Sequence, residues 1–208
     1  MRGRRTWFAG GVALGLHAGS VAFAAASAGG NDEAAGPTEP AVARFVDETA
    51  TSGLRTVYDG DFTFYVGGGV ATFDCDDDAM PDVYVAGGEN EATLYRNVGS
   101  PQQNLRFEPV DDSGAGLTSV TGAYPIDVDS DGVVDLAVLR VGENRLLRGL
   151  SDCRFEDVTQ RWGLPVADDW TAAFSATWEG TNAWPTVAVG NYLQIPPPEG
   201  VVRECATS

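Results

Sequence analysis

The chain repeats itself, and the repeat limits what it can fold into more than any other feature. GVATFDCDDDAMPDVYVAGG, beginning at Gly69, aligns with GAYPIDVDSDGVVDLAVLRVG, beginning at Gly122, so that Asp127 stands 53 positions (127 − 74) after Asp74. A second marker recurs in register: FVDETATSGL from Phe45, FEPVDDSGAGL from Phe107 and FEDVTQRWGL from Phe155. Each unit reads as an apolar strand, an aspartate loop, a second strand, a third such as ATLYRN or NRLLRG, and a Phe-led fourth. The apolar stretches are short and alternating, no window offers a long apolar series at helical spacing, and pairs such as Gly87 and Gly88 supply the turns. Units of about fifty residues with four short strands are the signature of propeller blades. The expected fold is all-β, with about three four-stranded β-propeller blades across residues 43–195.

A third unit, WTAAFSATWEGTNAWPTVAVGNY from Trp170, keeps the strands but puts Trp178, Gly180 and Asn182 where the aspartates stood, so no metal site is expected there. The count begins with a Phe-led fourth strand at Phe45, as in rings closed by their first strand, yet stops short of the four to eight blades of a ring. The phase therefore predicts a fragment of a larger ring, with a short chain that closes its ring by association as the alternative. Residues 196–208, opening with Pro196 to Pro198, read as a Pro-rich linker and tail.

Upstream, Arg2, Arg4 and Arg5 precede an apolar, Ala/Gly-rich stretch from Trp7 that ends in small residues around Ala26 and Ala28. This pattern predicts a signal peptide over 1–28 rather than a membrane anchor, and export to the periplasm, the cell surface or the medium. Residues 29–42 are rich in Gly, Ala, Pro and acids and read as a disordered leader.

Charge narrows the chemistry. The net charge of −17 comes from 30 acidic residues against 13 basic ones, all of them arginine. Loss of 1–28 would remove three arginines and His17, the only histidine, and bring the charge to about −20. The mature chain would then have neither His nor Lys, which excludes Ser-His-Asp and Cys-His nucleophiles, histidine-ligated zinc and lysine Schiff bases. Such a surface repels nucleic acid and anionic membranes and attracts multivalent cations. Of the three cysteines, Cys153 and Cys205 flank the repeated core and are the candidates for a disulfide, and Cys75 is expected to be buried and reduced.

The aspartate loops carry the site. Asp74, Asp76, Asp78 and Asp82 in the first, and Asp127, Asp129, Asp131 and Asp135 in the second, stand at positions 1, 3, 5 and 9. Alternate residues of a tightly curled loop can aim carboxylates at one centre, and position 7, Met80 or Val133, can add its backbone carbonyl. Two like charges about 4 Å apart repel by about 1 kcal/mol in water and about four times that at an effective dielectric of 20. Such crowding calls for a cation. Calcium, with six to eight oxygen ligands in flexible geometry, suits the loop better than magnesium or zinc. Position 6 is Gly132 in the second loop but Ala79 in the first, which would be strained if the turn needs a positive φ.

These patterns resemble the FG-GAP or VCBS repeats of integrin-α type, and more closely the bacterial relatives of cartilage acidic protein. The residues that carry the resemblance are Phe155 to Leu164, Asp127 to Asp135 and Leu94 to Asn97. It implies a seven-bladed propeller, of which this chain is a fragment, with calcium in loops between the first two strands of a blade, serving adhesion or recognition. On that reading the chain is a calcium-binding extracellular repeat module with no catalytic residue, whose partner is an extracellular protein or a glycan. The alternative is a carbohydrate-active enzyme using Asp168, Asp169 and Glu179 beside Trp162, Trp170, Trp178 and Trp184. Packing between blades is the simpler role for those tryptophans, and an ion pair with a loop acid is the simpler role for the matching Arg96 and Arg148.

Overall fold

The computed structural model describes residues 42, 44–65, 68–101, 103–165, 167–194 and 206–207. The chain divides into two units, Met1–Arg44 and Phe45–Ser208. The first lies almost wholly outside the described residues, and with it the expected signal peptide and leader.

The second unit is all-β, and its four-stranded antiparallel sheets are β-propeller blades. The first blade runs in order through β1 (Val70–Phe73), β2 (Asp82–Val85), β3 (Thr93–Asn97) and β4 (Phe107–Pro109). The second repeats it with β5 (Val120–Ile126), β6 (Asp135–Arg140), β7 (Arg145–Gly149) and β8 (Phe155–Asp157). Sequential antiparallel pairing lets short turns join every strand to the next. A third sheet is built on the long hairpin β9 (Asp169–Thr177) and β10 (Thr186–Gln194), with β11 (Ala206–Thr207) pairing to Gly190 and Asn191.

Burial follows the period of two that strands impose on their side chains. In the first blade Tyr84 lies opposite Leu94, and both point into a core shared with the second blade, where they meet Val120, Leu136, Val138, Leu147 and Phe155. Val83 and Tyr95, the neighbouring pair, point the other way and pack with Phe107 and Leu54. β6 is buried over five successive residues, Asp135 to Leu139, because blades lie against both of its faces. Across the second of these faces, Val128, Ala137, Leu146 and Val158 meet Trp162, Leu164 and Phe174. Trp170 is buried, as expected of a packing residue, whereas Trp178 and Trp184 are about half exposed.

The Phe-led marker splits in its first copy. Phe107 and Phe155 begin short strands paired to β3 and β7. Phe45 is instead 97% exposed and leads into a single helical turn, α1 (Thr49–Ser52). The expected strand is missing there because residues 45–47 have no third strand beside them among the described residues, and a backbone without a ladder partner stays irregular. The rest of the marker is in its repeat position. Gly53, at φ 92°, crosses the carbonyl oxygen of Phe107 where Gly114, at φ 80°, crosses that of Phe155, each so closely that a Cβ would overlap it.

Candidate metal centre

Both aspartate loops connect the first and second strands of a blade, and they fold the same way atom by atom. Asp74 accepts from the N–H groups of Asp78 (3.2 Å) and Ala79 (2.8 Å), and Asp127 accepts from Asp131 (3.1 Å) and Gly132 (3.0 Å). Asp78 accepts from the N–H of Met80 at 2.7 Å, and Asp131 from that of Val133 at 2.9 Å. The fourth and sixth positions are left-handed in both, with φ 61° at Asp77, 66° at Ala79, 57° at Ser130 and 88° at Gly132. This curl, fastened by side-chain-to-backbone bonds, turns alternate carboxylates inward.

Asp82 and Asp135 have a further task. Both are fully buried, and each carboxylate bridges two backbone donors. Asp82 accepts from Cys75 N–H (2.9 Å) and Asn97 N–H (2.8 Å), and Asp135 from Val128 N–H and Gly149 N–H (2.8 Å each). The ninth position therefore ties the start of the loop to the third strand of the blade. Burial raises the proton affinity of both groups, and the donated N–H bonds oppose that rise.

The acids converge in two sets. Carboxylate oxygens of Asp74, Asp76 and Asp78 lie within 4.8 Å of one another, as do those of Asp127, Asp129 and Asp135. Asp82 stands apart from the first set and Asp131 from the second. Met80 and Val133 enter these networks through their N–H groups. In the third sheet the corresponding turn, 178–185, brings together no such cluster among the described residues.

Arg96 and Arg148 are the ion-pair partners of the loops. Arg148 reaches Asp129 at 2.8 Å and also Asp131. Arg96 lies 2.9 Å from Asp76 and 2.6 Å from Asp152. Even so, the first loop is short of positive charge. The second oxygen of Asp76 is buried with no hydrogen-bond partner, and burial together with the Asp78 and Asp74 charges raises the proton affinity of that carboxyl despite Arg96. An orphaned carboxylate oxygen among other carboxylates, whose candidate ligand atoms are all oxygen, fits a hard divalent cation.

The cysteines correct the sequence reading. Cys75 is not a reduced thiol but is disulfide-bonded to Cys153, with Cα atoms 4.7 Å apart, so Cys153 is not free to pair with Cys205. Cys205 itself lies outside the described residues. The bridge forms because stacking of the blades sets the first aspartate loop against the turn between β7 and β8, where Cys153 N–H donates to the Cys75 carbonyl at 3.0 Å. It also rules out thiolate ligation at the cluster of Cys75, Cys153 and Asp82.

Neither a curated protein nor a solved structure matches the chain. Residues 74–138 match the model of the FG-GAP-like repeat family, a stretch that begins at the first acid of the first loop, takes in both loops and ends within β6.

Proposed function

We propose that the chain is an exported, calcium-binding propeller repeat module for recognition or scaffolding, without catalysis of its own. The observation that supports the reading best is the duplicated loop: the same two left-handed positions and the same backbone bonds arise from different intervening residues, and both copies gather three carboxylates. An acidic turn serving only solubility would have no need to repeat such a crowded arrangement. In this reading Asp74, Asp76, Asp78 and Asp82, with the Met80 carbonyl, hold one ion. Asp127, Asp129, Asp131 and Asp135, with the Val133 carbonyl, hold the other. Calcium supplies charge neutralisation and a rigid loop, and the chain's own residues supply the curl that aims the acids. The blade surfaces then present a fixed face to an extracellular protein or glycan, as the likeness to VCBS repeats and to bacterial relatives of cartilage acidic protein suggests.

Calorimetric titration of the purified chain with calcium tests this directly. Uptake of two ions with affinity in the range of about 0.1–1 mM or tighter is expected, with magnesium binding more weakly. No heat at millimolar calcium, together with identical melting in calcium and in chelator, would overturn it.

A further inference from the structure

The two loops are near copies, but among the described residues only the first is fastened to the neighbouring blade by a disulfide and an ion pair. Cys75, at its second position, is bridged to Cys153 in the β7–β8 turn, and Arg96 divides its contacts between Asp76 in the loop and Asp152 in that same turn. The second loop has Val128 in the place of Cys75, and Arg148 gives both of its contacts to its own loop, at Asp129 and Asp131. The turn that carries the staple is unusual. Ser151, Asp152 and Cys153 are three successive non-glycine residues in left-handed conformation, with φ 69°, 49° and 58°. Side chains disfavour that conformation, and it persists only where the surroundings enforce it.

The difference matters for the acids. Arg96 divides its guanidinium between Asp76 and Asp152, no arginine pairs with Asp78 among the described residues, and the convergent set is Asp74, Asp76 and Asp78. In the second loop Arg148 engages Asp131, and the set shifts to Asp127, Asp129 and Asp135. The first loop is also the one that must hold Ala79 in a left-handed turn without glycine.

We propose that the Cys75–Cys153 disulfide, aided by Asp152, is a redox-sensitive positioning device that holds the first loop ready for a divalent cation, so that its reduction weakens cation binding at that loop alone. The inference rests on the calcium reading above. In the switching step a dithiol donates two electrons and two protons and closes to its own disulfide, while the S–S bond becomes two thiols. The loop then has to order itself at the moment of binding, a cost that the bridge removes in advance. Coupling of this kind is reciprocal, so bound calcium disfavours reduction of the bridge at equilibrium.

The test is calcium calorimetry on the full chain in two backgrounds. Asp127→Ala leaves the first loop as the reporter, and Asp74→Ala leaves the second. A dithiol reductant should weaken the first loop by about tenfold and leave the second within about twofold. Cys75→Val with Cys153→Ala should reproduce the loss. Asp152→Asn, which keeps the bridge, should give a smaller loss of about threefold at the first loop, and it covers the case in which the cysteine-free chain does not fold. Equal affinity of the first loop with and without reductant, or equal losses at both loops, would overturn the proposal. Uptake in neither background in either redox state would instead remove the calcium reading, and the device with it.

Discussion

Ala79 and Gly132 hold the same left-handed backbone at the sixth position of their loops, φ 66° and 88°, although only one of them is a glycine. A Cβ placed on Gly132 meets nothing within 4 Å, so the two positions differ in backbone cost and not in crowding. An L-residue in this conformation costs about 1–2 kcal/mol. Ala79→Gly should therefore stabilise the chain by about 1 kcal/mol, and Gly132→Ala should destabilise it by a similar amount. Thermal melting should show midpoints moving in opposite directions by about 2–4 °C, and a loss of stability in Ala79→Gly would contradict the strain argument.

Asp82 and Asp135 should matter even without a metal. Each buried carboxylate accepts from two backbone N–H groups, one at the start of its loop and one on the third strand of the blade. An asparagine offers one oxygen and turns its NH2 toward the other donor. Asp135→Asn should then cost about 3 kcal/mol in chelator as well as in calcium. Asp127→Asn, which leaves the loop-to-strand tie intact, should cost far less in chelator. Equal denaturant midpoints for the two variants in chelator would show that the ninth position has no structural role.

Stability should respond to pH with opposite signs in the two metal states. Burial raises the folded-state proton affinity of Asp76, Asp82 and Asp135 above that of an unfolded carboxylate, with the Asp78 charge adding to the effect at Asp76. A folded state that binds the proton more tightly gains stability as pH falls through the raised value and loses it as pH rises. Asp131 is shifted downward, first by the Val133 N–H and then by Arg148, and opposes the trend from an exposed position where the effect is screened. In chelator, the midpoint at about pH 5 should therefore exceed that at about pH 7. In millimolar calcium, protons compete with the ion for the same oxygens, and the order should reverse. The same sign in both media would show that the acids do not share an ion.

The blades were legible because their signals are local. Short apolar stretches such as VATF and DLAVLR mark strands, and the 53-residue spacing aligns one loop on the next, so fold class and loop register could be read without tertiary knowledge. What escaped the reading depends on contacts between units. The sequence places Cys75 and Cys153 78 residues apart, in non-equivalent places of successive repeats, and only the stacking of blades brings them together. The ninth aspartate looks like any other acid in the pattern, and its tie to Asn97 or Gly149 follows from the return of the third strand. Phe45 opens a marker with the same leading Phe and closing Gly-Leu as its counterparts, but a strand needs a neighbour, and the motif alone does not provide one. A usable signal for the disulfide did exist: a cysteine inside a loop of acids, together with another just before a Phe-led strand, one blade further on.

The bridge has a consequence for folding that is separate from its proposed effect on cation binding. Cys75 and Cys153 join the two complete blades across a separation of 78 residues, so the cross-link removes loop-closure entropy from the unfolded chain. On the loop-entropy account such a closure is worth about 4 kcal/mol. Because the two blades already share an apolar core around Tyr84, Leu136 and Leu147, the reduced chain should still fold, but at a lower denaturant midpoint. Non-reducing peptide mapping should recover a Cys75–Cys153 linked pair, and denaturant melts with and without dithiol should differ by several kcal/mol in chelator and in calcium alike. A map that joins Cys205 to either residue, or coincident melts in the two redox states, would show that the inter-blade staple is not what holds the two sheets in register.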